Sequence, residues 1–560
     1  NVENGRDFNN ATMDEQTLRE IYARAFRMVV QDGGVAGVMA SYNLVNSTKS
    51  TENQHLLTDV LRGDFGFQGF VVSDWWAMMP EANVEGIAST TLQGYAISGV
   101  RAGLDIEMPW ALNYGQLENL VHSGSLTKAD LDTSAGRILE QKFRFNADGF
   151  GAVGLGSPKT SYSKGRITND GDHIKLAKKA ALESMVLLKN DGNTLPINPA
   201  VQKVAVLGAT MPYTTSNDGK RSSAVLHFAT DVLTGDMGSS RVFHDPAKGV
   251  GPFDGIRSAA PSGVTVVAGT SAGDAANADF VVVIAGLTPG DEGEEFTLAA
   301  DRQSLALDGK QLDAQYQNTQ NNLIRSVAAL GKPMVVVLEG GSVIDMPWLD
   351  QVPAVVMAWY PGMVGGEAMG MLLWGQSNFS GKLPITWTRL DDYPPLRSQD
   401  GSPTTSFDYY VGYRYFDKKA LVPLYPFGYG LSYTTFAYRN LQLGCSDMSQ
   451  GAVLPVVVNV ANTGSLAGDE IVMVFASFPD SQAARRPAKE LKGFARVRLD
   501  AGQEKQVTIP IRLQDLDTFQ MDAPEAGTGK WVVEGGTVEI RVGGSSTALP
   551  LVGRVAVNGS

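Results

Sequence analysis

Apolar positions along the first 148 residues alternate between helical and strand spacing. Helical spacing occurs at 15–31, 54–62 and 87–98, and short apolar runs that predict strands occur at 35–43, 69–73 and 102–108. Strands that alternate with helices indicate parallel βα units, whose chemistry lies at the carboxyl ends of the strands. About three such units are present, too few to close an eight-stranded barrel.

A second region, 171–390, repeats this alternation with longer apolar strands. Its strands are predicted at 203–208, 264–268, 280–285, 333–338 and 354–359, with helices at 315–330 and 363–374. This pattern predicts an α/β/α sandwich. A stretch rich in Gly, Ser, Thr and Lys at 149–170 reads as a linker before it, and a Pro- and Tyr-rich connector at 391–435 follows it.

From residue 436 the pattern changes to short strands separated by turns. Strands are predicted at 453–460, 470–475, 496–499, 506–511, 530–533 and 537–542. Asn462-Thr463-Gly464 and Gly543-Gly544 supply turn signals between them. We therefore predict an all-β sandwich over 436–560, which makes the fold class α/β plus β.

Charge and residue usage exclude several functions. The net charge is −13 and no Lys/Arg-rich run occurs, so neither a nucleic acid nor an anionic membrane surface is an expected partner. No apolar run reaches the roughly 18 residues of a transmembrane helix. The single cysteine, Cys445, cannot form an intrachain disulfide, and the histidines lack zinc-site spacing. We expect no metal and no cofactor.

Two short motif matches lack the context that their chemistry needs. Residues 269–273 fit G-x-S-x-G, but all five histidines precede Ser271, whereas an α/β-type serine hydrolase needs its histidine after the serine. Residues 149–154 fit G-x-G-x-x-G but follow a helical pattern rather than a strand, so a linker is the better interpretation. Neither match supports a serine hydrolase or a dinucleotide site.

Asp74 follows an apolar strand and is flanked by Ser73, Trp75 and Trp76. A carboxylate beside indole rings is a common way to build a sugar site, because the ring stacks on the sugar's C–H face. Ser and Asp after a strand are equally common at a helix N-cap. From the residues alone, both interpretations stay open.

A second acidic feature is the run Asp291-Glu292-Gly293-Glu294-Glu295, which follows the strand predicted at 280–285. Four neighbouring carboxylates repel one another, and in a partly buried site one would have a raised pKa, as a general acid requires. A solvated acidic loop explains the same run, and composition favours that simpler interpretation.

Longer motifs, taken in order, resemble glycoside hydrolase family 3 over essentially the whole chain. They occupy 37–43, 66–75, 103–109, 360–366, 380–384, 425–434 and 486–494. The resemblance implies that the first region is the C-terminal part of a (β/α)8 TIM-like barrel, at 1–148. It also implies that the β-sandwich is a fibronectin type III-like module.

By this resemblance Asp74 is the catalytic nucleophile, and Glu294 is the acid/base residue. Many members carry G-E-G followed closely by an aromatic residue, Asp and Arg, whereas Asp301-Arg302 here come only after an intervening stretch. Glu292 and Glu295 therefore remain alternatives to Glu294. A retaining mechanism would place the two carboxyl groups roughly 5–5.5 Å apart.

The resemblance also assigns sugar-binding positions. Arg6 matches the arginine that closes the family's N-N-Q-E-x-x-R run and would clamp hydroxyl groups with its forked donors. Met39 and Tyr42 would line the innermost subsite, Trp75 would form its wall, and Ser239 could reach it from the second region. Core packing is the alternative explanation for Met39.

Together these features predict a retaining exo-acting β-glucosidase that releases terminal β-D-glucose from short β-glucosides or cello-oligosaccharides. The Ser-Asp-Trp form resembles the glucosidase branch of the family. A β-xylosidase or another exo-glycosidase of the family is the alternative, and a non-catalytic carbohydrate-binding protein is the second. A homodimer is compatible with the sequence. Sugar substrates favour a secreted or periplasmic enzyme, although the residues leave the compartment open.

In the family, a Lys-His motif and the first half of the barrel precede the residue that matches Asn1. The resemblance therefore implies a further N-terminal barrel segment, from the same or a separate chain. A half barrel would expose an unpaired strand edge, so we expect these 560 residues not to fold stably or act alone. Turnover by a purified polypeptide of this mass would contradict that expectation.

Overall fold

The computed structural model describes most of the chain in two compact units. The described residues are 9–79, 91–145, 171–217, 220–235, 242, 244–291, 304–308, 318–393, 404–449, 451–483, 485–523 and 527–559. Unit 1 comprises Asn1–Arg166, Leu396–Tyr409 and Phe519–Lys530, and unit 2 comprises Ile167–Pro395, Tyr410–Thr518 and Trp531–Ser560. The proposed linker at 149–170, with its G-x-G-x-x-G match, lies outside the described residues.

Unit 1 contains a three-stranded parallel sheet of Gly37–Ala40, Phe70–Trp75 and Ile106–Met108, in that order. Strands are thus confirmed within the predicted runs at 35–43, 69–73 and 102–108. The third prediction began too early, because Ala102 ends a helix and Gly103 adopts the left-handed conformation at φ 100° that closes it.

The single helix predicted over 15–31 is broken in the structure. It divides into an α-helical turn, an adjoining π-helical turn and a further α-helix, and Ala23 separates the last two. The helical segments of unit 1 are Glu15–Thr17, Leu18–Tyr22, Arg24–Gln31, Ser50–Glu52, His55–Asp64, Leu92–Ala102, Tyr114–Gln116, Leu117–His122 and Lys128–Arg144.

Distant parts of the chain complete unit 1. A small sheet joins Asn10–Thr12, Leu44–Val45 and Thr48–Lys49 to Thr404–Ser406, which lies within the predicted connector. The buried Glu20 carboxylate accepts hydrogen bonds from the Tyr409 hydroxyl at 2.6 Å and the Phe519 backbone amide at 2.5 Å. Three separate segments therefore meet at one carboxylate.

Unit 2 begins with a six-stranded sheet covered by helices, the predicted α/β/α arrangement. In spatial order its strands are Thr265–Gly269, Lys203–Gly208, Phe280–Gly286, Met334–Glu339, Ala354–Trp359 and Val186–Asn190. All neighbours pair in parallel except the last strand, which is antiparallel. The predicted strands are confirmed, and every residue of Phe280–Gly286 is buried, as expected in a covered parallel sheet.

The helices of this part are Gly171–Ser184, Pro252–Ala259, Thr319–Ala328, Gly365–Leu373 and Tyr413–Lys419, with 3-10 turns at Asp191–Asn193, Ala272–Ala275, Leu349–Gln351 and Leu390–Asp392. A Cβ at Gly255 would lie 1.8 Å from the Gly366 carbonyl oxygen, so two of these helices pack in backbone contact. A hairpin of Thr210–Asn217 and Lys220–His227 was not predicted.

The remainder of unit 2 is the predicted β-sandwich. One sheet contains Phe436–Leu443, Val453–Asn462 and Glu504–Arg512, and the other contains Asp447–Met448, Leu551–Val557, Gly536–Gly543, Gly468–Ser477 and Glu490–Leu499. A 3-10 turn at Leu513–Leu516 also belongs to unit 2, whereas the two-stranded sheet of Thr518–Met521 and Gly529–Val532 is built mostly from the 519–530 segment of unit 1. Alternate residues of Val453–Asn462 are buried, so one face of this strand meets the core. In the described part of the chain, no helix combines the length and apolarity that crossing a membrane requires.

Candidate active site

Asp74 lies next to the carboxyl end of the central strand of the parallel sheet, Phe70–Trp75. Side chains alternate along this strand. Val71 and Ser73 are buried on one face, whereas Val72 and Asp74 are partly exposed on the other. The Asp74 carboxylate therefore occupies the open face at the strand end, where βα folds carry their chemistry.

The backbone around Asp74 is fixed by the neighbouring strand. The Ser73 hydroxyl oxygen accepts a hydrogen bond from the Met108 amide at 2.9 Å, and the Trp76 amide donates to the Met108 carbonyl at 3.0 Å. One carboxylate oxygen of Asp74, Oδ1, accepts from the Trp75 amide at 2.7 Å. The described residues offer no hydrogen bond to the other oxygen, Oδ2.

The helix N-cap interpretation of Asp74 does not match its contacts. An N-cap side chain accepts from the amide two or three residues later. The Asp74 carboxylate instead bonds the adjacent Trp75 amide, and the Ala77 amide bonds the Asp74 carbonyl at 3.1 Å. The residues that follow, 76–79, form a turn.

Met39 and Tyr42 lie at the end of the first strand of this sheet. Met39 pairs in register with Val72, so its side chain is on the same face as Asp74, and it is 57% exposed. Core packing therefore does not explain Met39 within the described residues. Tyr42 is partly buried in the following loop, which Ser41 fixes by donating to Asn43 Oδ1 at 2.9 Å.

Trp75 belongs to a cluster that the sequence only partly indicated. Its ring meets Trp76 edge to face at a centroid distance of 5.6 Å, and Trp76 meets Trp110 in the same way at 5.6 Å. Trp110 was not predicted as a site residue. The signal for it was its position directly after the strand that neighbours Asp74 in the sheet.

Asp105 precedes the third strand, but its carboxylate is buried in structural contacts. It pairs with Arg62 at 2.8 Å and Arg137 at 3.0 Å, and it also accepts from the Val71 amide at 2.8 Å. This double pairing joins the central strand to two surrounding helices. It makes Asp105 a structural residue rather than a second catalytic acid.

Glu107, in the same strand as Met108, also has hydrogen-bond partners at both of its carboxylate oxygens. Its carboxylate accepts from the Asn113 amide at 3.0 Å, from the Asn113 side chain at 2.6 Å and from the Tyr114 amide at 2.7 Å. These bonds cap the short helix that begins at Tyr114. Among the described residues, Asp105 pairs with cations and Glu107 with a helix end, whereas Asp74 has neither kind of partner.

A buried polar group supports the turn after Asp74 and was not anticipated. The Lys49 ammonium donates to the Met79 carbonyl at 2.5 Å, and the Thr51 hydroxyl donates to the Ala77 carbonyl at 3.4 Å. Burial raises the pKa of the nearby Glu52 carboxyl, while the Lys49 charge opposes that rise. The turn that follows Asp74 is thus held by the side chains of Lys49 and Thr51.

The acidic run begins at Asp291, which is buried and forms a turn. One of its oxygens, Oδ2, accepts from the Thr288 amide at 2.7 Å and the Thr288 hydroxyl at 2.8 Å. Burial raises the pKa of Asp308 to about 6, and the Asp291 charge adds to this rise while hydrogen bonds from Gln320 oppose it. The Asp291 charge therefore acts on Asp308, which lies outside the acidic run, and the repulsion predicted among 291–295 stays a prediction.

Several predicted site residues lie outside the described residues. They are Arg6, Ser239, Glu292, Glu294 and Glu295. Their roles, and the expected separation of the two catalytic carboxyl groups, remain predictions.

The other candidate sites have structural explanations. Ser271 donates to Asp274 Oδ2 at 2.8 Å and caps a 3-10 turn, which agrees with rejecting the G-x-S-x-G match. The described residues contain no group of three or more His, Cys, Asp or Glu side chains that could hold a metal ion. A cavity of about 600 Å³ in unit 2 is lined by residues such as Asp345, Trp387 and Arg389, none of which was predicted for the site.

Three family models match the chain in sequence order. The glycosyl hydrolase family 3 N terminal domain matches residues 1–141, the family 3 C-terminal domain matches 185–433, and a fibronectin type III-like domain matches 470–546. Together they cover each region in which the motifs were recognised.

Known proteins resemble the chain over almost its whole length. Thermostable beta-glucosidase B of Acetivibrio thermocellus is 33% identical over 568 residues, covering 100% of this chain and 68% of the relative. An exo-alpha-(1->6)-L-arabinopyranosidase of Bifidobacterium breve is 32% identical over 576 residues, with coverages of 100% and 68%. The crystal structure of beta-D-glucoside glucohydrolase from Trichoderma reesei matches with a TM-score of 0.80 at 29% identity, covering 99% of this chain and 77% of that chain.

These matches confirm the predicted fold class of barrel-type βα units, an α/β/α sandwich and a fibronectin type III-like β-sandwich. They also confirm the predicted enzyme class, a glycoside hydrolase. The ordered motifs, the folded units and the family models agree, and the chain belongs to glycoside hydrolase family 3.

Proposed function

We propose that this chain is a retaining exo-β-glucosidase that releases terminal non-reducing β-D-glucose from short β-glucosides, with Asp74 as nucleophile. The observation that carries the proposal is the difference in bonding partners among the carboxylates of Asp74, Asp105 and Glu107. Asp105 pairs with two arginines, and Glu107 accepts hydrogen bonds at the start of a helix. Asp74 instead lies on the open face of the sheet beside Trp75. A nucleophile needs an oxygen that is not already bonded.

In the first step, an Asp74 oxygen attacks the anomeric carbon and the bond to the leaving oxygen breaks. The acid/base glutamate, Glu294 with Glu292 and Glu295 as alternatives, gives its proton to that oxygen. In the second step, the same glutamate takes a proton from water, whose oxygen attacks the anomeric carbon and releases Asp74 from the ester. Two displacements retain the anomeric configuration.

Binding residues hold the sugar over Asp74. The exposed Trp75 ring offers an apolar face to the C–H side of the glucose, and Met39 and Tyr42 flank the same strand ends. Arg6 would bind hydroxyl groups with its planar, forked donors, and Ser239 would add a hydroxyl contact.

The relatives favour glucose at this position, because the first matched relative and several matched structures are described as β-glucosidases. The arabinopyranosidase relative, at 32% identity, keeps another exo-glycosidase specificity as the second candidate, alongside a β-xylosidase. A panel of 4-nitrophenyl glycosides separates these candidates. A higher kcat/KM for a xyloside or an arabinopyranoside than for the β-D-glucoside would overturn the choice of glucose.

The role of Asp74 is tested by replacement and chemical rescue. Asp74→Ala should lose nearly all turnover of 4-nitrophenyl β-D-glucoside, and azide should restore part of it as a substitute nucleophile. The exposed Asp172→Ala variant is the control and should behave like the unchanged enzyme. An active Asp74→Ala variant without azide would contradict the assignment, and no turnover by any variant would favour a non-catalytic carbohydrate-binding protein.

Cello-oligosaccharides are further expected substrates, and a homodimer is the expected assembly if self-association occurs. Glucose release from cellobiose and cellotriose tests the first expectation. Light scattering of the purified protein over a range of concentrations tests the second, because a dimer doubles the mass of 59.8 kDa calculated for one chain.

A further inference from the structure

Three tryptophans form a continuous array that starts beside the proposed nucleophile. Trp75 contacts Trp76 and Trp76 contacts Trp110, each pair edge to face at 5.6 Å between ring centroids. All three remain open to solvent among the described residues, with exposed fractions of 52% for Trp75, 38% for Trp76 and 62% for Trp110. Three adjoining, exposed aromatic rings next to a proposed nucleophile are typical of a binding site.

Trp76 is held in a conformation that its side chain disfavours. Its φ of 61° lies in the left-handed region, which bulky residues rarely adopt. Hydrogen bonds from its amide to the Met108 carbonyl and from the Met79 amide to its own carbonyl, at 3.0 and 2.8 Å, maintain this turn. Since the ring is not buried, core packing does not explain the strain, and such outliers concentrate at ligand sites.

The end of the array at Trp110 is apolar. Pro109, Trp110, Ala111 and Leu112 follow one another, and the last three are exposed. The next polar side chain, Asn113, is buried and donates to Glu107 at 2.6 Å, so Asn113 offers no group to a ligand at this surface. Among the described residues 109–112, the indole N–H of Trp110 is the one polar side-chain group.

We infer that Trp76 and Trp110 form the leaving-group subsite of the enzyme and that this subsite favours a planar, apolar aglycone over a second sugar. The inference rests on the proposed function, because it takes Asp74 as the point of bond cleavage. Indole rings stack on flat apolar groups, whereas a second sugar also needs hydrogen-bond partners for its several hydroxyls, and the described side chains of 109–112 supply a single donor, the Trp110 indole N–H.

The chemistry gives this inference a kinetic signature. The aglycone is present only until its bond to glucose breaks, and the glucosyl-enzyme that remains is the same for every substrate. Loss of an aglycone contact therefore lowers kcat/KM for substrates that use it, without changing hydrolysis of the glucosyl-enzyme.

The first test compares Trp110→Ala with the unchanged enzyme on 2-naphthyl β-D-glucoside and on cellobiose. We expect kcat/KM to fall about tenfold for the naphthyl glucoside and less than about twofold for cellobiose, and Trp110→Phe should restore most of the loss. Phe494→Ala, which removes a 67% exposed ring of the β-sandwich, is the matched control. Equal losses on both substrates, or no loss on the naphthyl glucoside, would overturn the inference.

The second test isolates the subsite from the first chemical step. Enzyme trapped with a 2-fluoro-glucosyl group on its nucleophile is reactivated by 2-phenylethanol, whose hydroxyl attacks the anomeric carbon, gives its proton to the acid/base glutamate and releases the ester. Trp110→Ala and Trp76→Ala should slow this reactivation several-fold and leave reactivation by water unchanged. Unchanged reactivation by 2-phenylethanol would overturn the inference, whereas failure to trap the unchanged enzyme would overturn the proposed function itself.

Discussion

The Ser73 hydroxyl oxygen accepts a hydrogen bond of 2.9 Å from the backbone amide of Met108, and this contact ties the strand that carries Asp74 to its neighbour. The register between the two strands shifts at this point, between Val72 and Trp75. A side chain therefore supplies a bond that the regular ladder would otherwise provide, one residue before the proposed nucleophile.

Ser73→Ala should disturb the position of Asp74 and so slow the chemical step, with a smaller effect on sugar binding. Removing the acceptor leaves the Met108 amide without its partner, which costs on the order of 1–3 kcal/mol. We expect a several-fold lower kcat with KM changed less, measured on 4-nitrophenyl β-D-glucoside. Ser326→Ala, an exposed serine in unit 2, is the control. Equal kinetics for the two variants would show that the Ser73 bond does not position the nucleophile.

Asp105 should behave as a structural carboxylate. Asp105→Asn removes the charge that pairs with Arg62 and Arg137, and breaking a buried pair in this way costs roughly 3–5 kcal/mol. We expect a clear loss of unfolding free energy in urea and no rescue of activity by azide. Azide-dependent turnover by the folded Asp105→Asn variant would instead indicate a direct part in the chemistry.

His55 should stabilise unit 1 at acidic pH and lose this effect at alkaline pH. Its Nε2 lies 2.9 Å from the buried Glu15 carboxylate, and this hydrogen bond is the largest cause of the raised pKa of His55. A raised folded-state pKa contributes stability that is complete below the ordinary value near 6.5 and is lost as pH rises through the folded value.

The pH dependence of Tm compares the protein with His55→Gln. The unchanged protein should lose its advantage over the variant as the pH rises from about 6.5 through the raised folded-state pKa of His55. A constant difference in Tm across this range would contradict a stabilising charged His55.

Glu339, in the sheet of unit 2, should also make the protein less stable as the pH rises. This carboxyl is buried at the end of the Met334–Glu339 strand, and burial raises its pKa to about 8 from 4.5. Between these values the unfolded chain loses the proton and the folded chain keeps it. Stability therefore falls as pH rises, by at most about 1.4 kcal/mol per pH unit.

Glu339→Gln stays neutral at every pH and should remove that slope. Denaturant unfolding at pH 5 and pH 8 measures it, with the exposed Glu118→Gln as control. We expect the Glu339→Gln variant to gain stability relative to the unchanged protein at pH 8. If the unfolding free energy of the Glu339→Gln variant changed between pH 5 and pH 8 as much as that of the unchanged protein, a buried, protonated Glu339 would be ruled out.

The local pattern of apolar residues was sufficient to predict the five parallel strands of the unit 2 sheet, but not its antiparallel edge strand or the hairpin. Residues 203–208 and 354–359 were predicted with their observed bounds, because continuous apolar runs between polar segments suit a sheet covered on both faces. The helix over 15–31 was predicted as one piece, since periodicity does not register a π-helical turn such as Leu18–Tyr22.

Long-range contacts account for what the sequence could not indicate. Glu20 bonds Tyr409 and Phe519, which lie 389 and 499 residues away, so no local window shows that these segments complete unit 1. For the same reason no local window distinguishes Asp74 from Asp105, since each is an aspartate beside a short apolar strand. Only the pairing of Asp105 with Arg62 and Arg137 separates their roles.

The central claim is that Asp74 attacks the sugar, and covalent labelling tests it most directly. Incubation with a 2-deoxy-2-fluoro β-D-glucoside bearing a good leaving group should trap the glucosyl-enzyme, because fluorine slows its hydrolysis. Peptide mapping by mass spectrometry should then place one glucosyl label on Asp74. Label on any other residue, with Asp74 unmodified in the inactivated protein, would contradict the account.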